Sequence, residues 1–297
     1  MNYKTSDNTE RQPRTVQRGS EPLTGRGKKT KLPQIALLAA LAAGTLPLTA
    51  YGIDDAELAK NALNPIAAMI SVPFQFNYDR GMGADGDGSK SVLNIQPVIP
   101  FSLNGDWNLI SRTIVPLIDQ RNMLPNGGGD ASGLGDVTQS LFFSPKKPTA
   151  SGWIWGAGPV LLLPTASKSQ LGAGKWGLGP TAVVLKQADG WTYGVLGNHI
   201  WSVAGSSNRN DVNATFIQPF VSYTTKTLTS FGVNTESSYD WKGKQWSVPI
   251  NLTVTQILKV GKQPLSIQAG ARYWADSPEN GPKGWGFRLN FTFLFPA

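Results

Sequence analysis

The sequence predicts an all-β protein: a closed antiparallel up-and-down transmembrane β-barrel of about twelve strands, with a short N-terminal helix. Three observations predict it. Apolar and polar residues alternate along many short segments, longer and shorter connections alternate between those segments, and tryptophans collect near the segment ends. Alternation is typical of a strand with one apolar and one polar face. A tilted strand of roughly 9 to 11 residues is long enough to cross a bilayer.

The last segment, 285–295, shows the alternation most clearly. Aromatic and aliphatic residues occupy every second position, and Arg288, Asn290 and Thr292 lie between them. A strand of a soluble sandwich would show the same pattern, so only the rest of the chain can distinguish a membrane barrel from a soluble sandwich. The candidate strands lie near 70–79, 91–101, 106–117, 135–144, 153–163, 176–186, 191–203, 212–223, 228–239, 245–258, 264–274 and 284–295.

The connections favour the barrel. Longer and shorter connections alternate almost throughout, which an up-and-down barrel with both termini in the periplasm predicts. A sandwich with Greek-key crossings gives no reason for such alternation. Tryptophans near the predicted strand ends fit the aromatic belts at the two bilayer interfaces. They are Trp107, Trp153, Trp176, Trp191, Trp201, Trp246, Trp274 and Trp285.

Prolines inside the predicted strands oppose this interpretation, because a closed barrel has no free edge where a missing N–H donor is harmless. We expect some of them to mark bulges, kinks or strand ends. A wall that opens sideways is the alternative. These residues are Pro73, Pro97, Pro100, Pro116, Pro159, Pro180, Pro219 and Pro249.

The N-terminal part of the chain resembles a secretory signal peptide. Residues 1–52 begin with a long basic region, continue with an apolar run from Leu32 to Leu48, and end with small residues. Cleavage is expected before Ile53 or after Ala50, and a retained membrane anchor is the alternative. The expected domains are then a signal peptide at 1–52, a short helix at 53–65 and the barrel at 66–297.

That helix is predicted from a capping Asp54, a Glu57 three residues later and apolar residues at helical spacing until Asn64-Pro65. Two positions are open for it. It either enters the periplasmic mouth of the barrel as a plug or packs on the outside.

Composition excludes several classes of protein. The chain has no cysteine, which excludes disulfides, thiolate metal sites and cysteine nucleophiles. The net charge is +8, but residues 1–52 hold 8 Lys+Arg and 3 Asp+Glu, so the remainder carries only +3. Nucleic acid is therefore not an expected partner.

An enzymatic or metal-binding role is not indicated. The only histidine, His199, is followed two positions later by Trp201, and Ser202 lies on the opposite strand face, so Ser-His catalysis is not expected. The loop 83–88 resembles a calcium loop, but the twelfth position counted from Asp85 is Gln96 instead of glutamate. We expect no enzyme, no metal and no cofactor.

If the apolar faces point to lipid, the polar faces line the barrel lumen. Arg272 and Arg288 lie on adjacent predicted strands and, with Arg112, could form a positive constriction that favours anions. The alternative is that they pair with Asp79, Asp136 or amides and fill the barrel. The lumen-lining candidates are Asp79, Gln96, Arg112, Asp136, Gln218, Arg272 and Arg288.

Most of the chain, 58–296, resembles a proteobacterial outer-membrane family described as the MetA-pathway of phenol degradation family. Its members are labelled transporters and sometimes mislabelled neuromedin U. The resemblance implies a β-barrel for uptake of aromatic or other hydrophobic compounds. The sequence departs from other outer-membrane strands at its end, where Phe295 is followed by Pro296-Ala297. The resemblance rests on the runs VLNIQPVIPFSLNGDWNLISRTIVPLI, GLGDVTQSLFFSPKK, WGAGPVLLLPT, LGAGKWGLGPTAVVL, GNHIWSVAGSSNRNDVN and GKQPLSIQAGARYW.

We therefore expect a channel or transporter in the outer membrane of a Gram-negative bacterium, with both termini periplasmic, for passive uptake of small, aromatic or hydrophobic compounds. Its expected partners are outer-membrane lipids, the outer-membrane insertion machinery and a small-molecule solute. A plugged barrel with a structural or interaction role is the first alternative. A lipid-modifying enzyme is the second.

Overall fold

A computed structural model describes residues 55–125 and 128–295, all within one compact unit, Leu48–Ala297. The predicted signal peptide, its cleavage site and Pro296-Ala297 lie outside the described residues. Among the described helices, none has both the length and the hydropathy needed to span a membrane.

Within the described residues, the fold contains the helix α1 (Asp55–Ala62) and fifteen β-segments, and a 3-10 turn covers Ser169–Leu171. The β-segments are β1 (Ile70–Met82), β2 (Gly88–Ile95), β3 (Val98–Ser102), β4 (Trp107–Arg121), β5 (Ala131–Leu134), β6 (Val137–Pro145), β7 (Trp153–Leu163), β8 (Lys175–Ala188), β9 (Trp191–Gly205), β10 (Asn213–Thr224), β11 (Thr229–Thr235), β12 (Ser237–Asp240), β13 (Gln245–Val260), β14 (Gln263–Asp276) and β15 (Gly284–Phe295).

The segments form a closed antiparallel barrel of twelve wall strands, because β2 with β3, β5 with β6 and β11 with β12 each make one interrupted strand. Strands adjacent in sequence pair with each other, and β15 pairs with β1 from Ile70 opposite Phe295 to Tyr78 opposite Phe287. The predicted fold class is confirmed. The three interruptions fall at Gln96-Pro97, Gly135-Asp136 and Glu236.

The barrel has two unlike ends. The terminal end, where β1 begins and β15 ends, carries the connections 103–106, 146–152, 189–190, 225–228 and 261–262. The loop end carries 83–87, 122–130, 164–174, 206–212, 241–244 and 277–283. The longer connections lie at the loop end, as the alternation predicted. The exception is 241–244, which has the same length as the neighbouring connection 225–228 at the terminal end.

The outer surface of the wall is apolar. Phe287, Leu289 and Phe291 on β15 are each about 40% exposed, and the other strands present similar rows. Aromatic side chains pair at both ends: the ring centroids are 5.8 Å apart for Trp107 and Trp155 at the terminal end. They are 5.0 Å apart for Tyr273 and Trp285 at the loop end. This surface is suited to lipid contact.

Two of the eight prolines adjoin irregular pairing, and two more face each other in the sheet. Pro97 lies in the interruption between β2 and β3, where the backbone N–H of Gln96 donates to the Pro73 carbonyl at 2.9 Å. Pro249 adjoins a register shift between β13 and β14. Pro159 and Pro180 face each other across β7 and β8, so neither strand contributes an N–H at that step. The expected bulges and interruptions are therefore present at Pro97 and Pro249.

Helix α1 lies at the terminal mouth. Its Leu58 and Ala59 are 1% and 2% exposed and pack in one buried cluster with Met69, Ile257 and Leu294. Asp55 forms an ion pair with Lys259, and the side-chain amide of Gln187 donates to the Lys60 carbonyl at 2.8 Å. Since Ile257 and Leu294 lie on the inner faces of β13 and β15, the helix contacts the inside of the wall.

Candidate functional site in the barrel interior

Strand alternation places a row of charged and amide side chains inside the barrel. On β1, β13, β14 and β15 the aromatic and aliphatic residues face outward, so Asn77, Asp79, Asn251, Arg272 and Arg288 face inward. Register brings them side by side, with Asn77 opposite Arg288 and Asn251 opposite Arg272. All five are less than 9% exposed.

Glu236 joins the two arginines. It occupies the single-residue interruption between β11 and β12, and its carboxylate accepts hydrogen bonds from Arg288 Nη1 at 2.8 Å and Arg288 Nη2 at 2.6 Å. Arg272 Nη1 donates to the same carboxylate at 3.3 Å. The Arg288 side chain is 2% exposed and that of Glu236 is 19% exposed. The Arg288 contact is a bidentate, charge-assisted pair, which is the strong geometry for this pair of groups.

Asp79 completes the neutralisation of Arg272. Its Oδ1 lies 3.1 Å from Arg272 Nε and accepts a hydrogen bond from Trp274 Nε1 at 2.7 Å. The Arg272 guanidinium also lies 4.7 Å from the centroid of the Trp274 ring. Trp274 therefore faces the interior, and the prediction that it belongs to an aromatic belt at the bilayer interface is wrong. Two arginines and two carboxylates balance each other in this part of the barrel.

Amides complete the hydrogen bonding of the arginines. Arg288 Nε donates to Asn77 Oδ1 at 2.7 Å, and Arg272 Nη1 reaches Asn251 Oδ1 at 3.3 Å. Asn251 in turn donates to Asn234 at 2.8 Å. Buried charges require such partners, because an unmet donor inside a protein costs free energy.

Arg112 lies on the wall opposite this cluster. It belongs to β4, which is six strand steps from β12 in either direction round the barrel. Its Nη2 donates to Gln96 Oε1 at 3.0 Å. Charged side chains therefore face the interior from both sides of the barrel. We call Asp79, Glu236, Arg272, Arg288 and Arg112 the charge belt.

The interior also has an apolar side. Seven buried residues form one cluster, with Phe216 and Phe220 packed against it. We call these seven the apolar cluster: Ile66, Val98, Ile110, Phe142, Val183, Leu185 and Leu196. All but Ile66 lie on β3, β4, β6, β8 and β9, whereas the acids of the charge belt and two of its arginines lie on β1, β14, β15 and the β11–β12 strand. Arg112 is the member that adjoins both sides.

Five of the seven predicted lumen-lining residues meet around the charge belt: Asp79, Gln96, Arg112, Arg272 and Arg288. Asp136 does not. It lies at the loop end, where its carboxylate accepts hydrogen bonds from the backbone N–H groups of Ala166 at 3.1 Å and Ala173 at 2.6 Å. Gln218 is half-buried on β10, opposite Leu196 on one side and level with the Glu236 interruption on the other, between the pairs Ile217–Ser237 and Phe220–Asn234. That these residues line a solute path stays a prediction.

Glu236 is the residue that sequence reasoning missed. It is the ninth of the twelve residues of the predicted strand 228–239 and lies among Thr235, Ser237 and Ser238, where the apolar alternation is lost. A lone carboxylate within a membrane-crossing strand needs a cationic partner. That argument, applied to Arg272 and Arg288, would have found it.

His199 lies on the outer face. Its Nδ1 is 2.7 Å from Thr215 Oγ1, and its ring centroid is 4.1 Å from that of Trp201. Ser202 instead donates to Asp211 at 3.2 Å. The histidine and this serine point to different groups, as the strand alternation predicted. Within the described residues, no three His, Asp or Glu side chains form a group that could hold a metal ion.

The chain is similar to several solved structures. The COG4313 outer membrane channel from Pseudomonas putida F1 is 18% identical, with a TM-score of 0.59 over 78% of this chain and 97% of that one. The NanC porin is 10% identical with a TM-score of 0.46, covering 77% and 100%. Outer membrane phospholipase A from Escherichia coli is 11% identical with a TM-score of 0.43, covering 80% and 96%.

The first of these similarities shows a shared barrel fold. No protein-family model matches the chain, and no curated protein matches it. The resemblance to the MetA-pathway family therefore stays a prediction. The fold and the interior together define a closed twelve-stranded barrel with an apolar outer surface and the charge belt inside.

Proposed function

We propose that this protein is an outer-membrane channel through which small molecules cross the membrane without energy input, and that the charge belt is its constriction. The observation that carries the proposal is the group of Asp79, Glu236, Arg272 and Arg288 on the inner face of the wall, with Arg112 on the inner face of the opposite wall. Charged groups in a membrane protein are costly, and they are typical of ion and solute paths. A ring of charge at the narrow point of a pore sets its selectivity.

The proposal includes a plug at the terminal mouth. Helix α1 packs on Ile257 and Leu294, and the chain that follows it carries Ile66 into the apolar cluster on the other side of the barrel. Residues 58–69 therefore reach from one side of the mouth to the other. In the proposed topology both termini are periplasmic, so this plug closes the periplasmic mouth.

The solutes we propose are small and partly hydrophobic. The partly buried Phe216 and Phe220 beside the apolar cluster supply apolar contacts inside the barrel, and the charge belt supplies polar contacts. The partners in this proposal are outer-membrane lipids around the apolar wall, the outer-membrane insertion machinery during assembly, and the solute. Catalysis is not part of it, because His199 lies on the outer face and bonds Thr215.

A structural barrel is the second candidate, and one observation favours it. Arg272 and Arg288 are saturated by Asp79, Glu236 and amides, which is what side chains that only fill a barrel would show. The two functions differ in permeability. A filled barrel conducts no ions even when the plug is absent.

Ion conductance of the refolded mature chain in planar bilayers separates the two. We expect discrete current steps from residues 53–297, and larger or more frequent steps when residues 53–64 are deleted, because α1 then no longer covers the mouth. Heat-modifiable migration on a gel checks that both proteins are folded barrels. Folded protein that is silent with and without the deleted segment would exclude a channel.

A further inference from the structure

Helix α1 presents two faces to different surroundings. Leu58 and Ala59 pack against the inner faces of β13 and β15. Glu57 and Lys60, three residues apart on the opposite face of the helix, line a cleft between α1 and the wall strands β4, β6, β7 and β8. The cleft has a volume of about 520 Å³. Pockets that hold small ligands have volumes of roughly 300–1,000 Å³, so the cleft is large enough for one.

The floor of the cleft carries a buried amide without a hydrogen-bond partner. Asn108 on β4 is 8% exposed and lines the cleft, and among the described residues none hydrogen-bonds to its side chain. Its sheet neighbours have other partners: Ser144 Oγ donates to the Trp155 carbonyl at 2.7 Å, and Ser102 Oγ accepts from Lys146 Nζ at 2.7 Å. A buried amide that lacks partners costs free energy, so a ligand that supplies one would be stabilised there.

Two opposite charges face the same cleft from the helix. Glu57 and Lys60 are exposed, and neither lies within 4.0 Å of an oppositely charged group among the described residues. Because they are three residues apart on a helix, their Cβ atoms are about 5–6 Å apart. The cleft thus combines an unpaired carboxylate, an unpaired ammonium and, on its floor, an unpartnered amide.

We propose that this cleft is a binding site for dipeptides with apolar side chains. The peptide ammonium pairs with Glu57, the peptide carboxylate pairs with Lys60, and the Asn108 amide donates to the peptide carbonyl between them. Two extended residues span at most about 7 Å, which is comparable to the spacing of Glu57 and Lys60. The site does not depend on conduction, so it stands apart from the proposed channel.

The ligand class follows from the set of groups that lack partners. A simple carboxylate leaves Glu57 unneutralised, and a simple amine does the same to Lys60. A dipeptide supplies both charges and the peptide group for Asn108. Apolar side chains are expected because the partly buried Pro145 and Ile154 line the same cleft and offer an apolar contact. Leucylleucine is a small probe of this kind.

Equilibrium dialysis of radiolabelled leucylleucine against the folded full chain in detergent tests the floor of the site. We expect saturable binding that weakens about tenfold in Asn108→Leu, because a hydrogen bond is lost and the peptide carbonyl is left unpaired. The urea unfolding midpoint of this variant should not fall, since the substitution removes a buried amide that has no partner. A structural role for Asn108 predicts the reverse, a lower midpoint with unchanged binding.

The charged rim is tested separately. Lys60→Gln and Glu57→Gln should each weaken binding by up to about fivefold, because ion pairs at exposed side chains contribute little. The matched control is Lys147→Gln, which changes an exposed lysine outside the lining of the cleft. It should bind leucylleucine as wild type does.

Three competitors identify the parts of the ligand that are recognised. N-acetyl-leucylleucine lacks the ammonium, leucylleucine amide lacks the carboxylate, and free leucine lacks the peptide group. Each should displace the probe less well than unlabelled leucylleucine, and the acetylated form should not distinguish Glu57→Gln from wild type. The proposal fails if wild type shows no saturable binding, if folded Asn108→Leu binds equally well, or if all three competitors match leucylleucine.

Discussion

At the scale of single residues, one carboxylate organises the interior. The Glu236 carboxylate accepts hydrogen bonds from both terminal nitrogens of Arg288 and from one of Arg272. Arg112 lies on the opposite wall of the barrel. The place of Glu236 in a one-residue interruption explains why it can project so far: the residue is freed from strand pairing between β11 and β12. Asp79 by itself can balance only one of these arginines.

Replacing Glu236 by glutamine should therefore destabilise the barrel strongly. The change leaves two buried guanidinium groups with one carboxylate, and breaking a buried ion pair from one side costs about 3–5 kcal/mol. Urea unfolding in detergent or lipid, followed by tryptophan fluorescence, measures the loss. Glu279→Gln, an exposed change in the connection 277–283, is the control and should leave the midpoint unchanged. A midpoint equal to wild type for Glu236→Gln would mean that the pair contributes nothing to stability.

The sequence could place some of the interior residues but not others. Arg272, Arg288 and Asp79 could be placed inside because each stands between outward-facing aromatic or aliphatic residues. Asp136 could not be assigned in the same way, because it lies in the interruption between β5 and β6 and bonds the connection 164–174. Alternation places a residue on a face only where the strand is regular.

At the scale of elements, glycine decides where strands can approach closely. A Cβ on Gly179 would lie far inside contact distance of the His199 carbonyl, and one on Gly158 would do the same to the Leu141 carbonyl. Both glycines adjoin the opposed Pro159 and Pro180, where ladder pairing is incomplete. Close approach of backbone to backbone at this point requires that no side chain intervene.

We expect Gly179→Ala to prevent folding or to lower the unfolding midpoint in urea markedly, because backbone atoms would have to move to admit one methyl group. Gly105→Ala provides the matched control, since a Cβ there meets nothing within 4 Å. The measurement is heat-modifiable gel mobility followed by urea titration. Equal stability of the two variants would show that the wall at Gly179 adapts easily.

The connection 164–174 at the loop end is held in place by specific hydrogen bonds. Asp136 binds two of its backbone N–H groups, and Arg209 donates to the carbonyls of Ser169 at 2.8 Å, Gly172 and Ala173. Polar side chains thus hold the connection from both neighbouring strands. The sequence alone suggested only a long polar loop here.

Loss of the Arg209 contacts should loosen this connection. In Arg209→Gln we expect faster tryptic cleavage after Lys168, which lies exposed in the same connection. Mass spectrometry of the fragments reports the rate at that one bond, and Lys168→Gln added to Arg209→Gln removes the site. An unchanged rate of cleavage would indicate that Asp136 holds the connection without help.

At the scale of the whole molecule, the sequence was sufficient for the number of wall strands and for the direction of their faces. Period-two alternation and connection length carry that information locally. The sequence could not show that Arg112 on β4 and Glu236 on the β11–β12 strand lie on opposite walls of one interior, because that placement depends on closure of the barrel. Nor could it choose between the two positions of α1, since an amphipathic helix buries its apolar face equally well on either side of a wall.

One barrel holds both an apolar and a charged interior. Asp79, Glu236, Arg272 and Arg288 lie on other strands than the apolar cluster, and only Arg112 shares a strand with it, on β4. This arrangement belongs to the closed barrel, and to no single strand.

The most direct test is the ion selectivity of the refolded full-length mature chain and its Glu236→Gln variant. Reversal potentials in a potassium chloride gradient across a planar bilayer measure it, with Glu279→Gln as the control. If the charge belt is the constriction, loss of Glu236 exposes three arginines to the pore and raises the chloride-to-potassium permeability ratio severalfold, while the control matches wild type. Conducting barrels whose ratio does not change in Glu236→Gln would contradict the account.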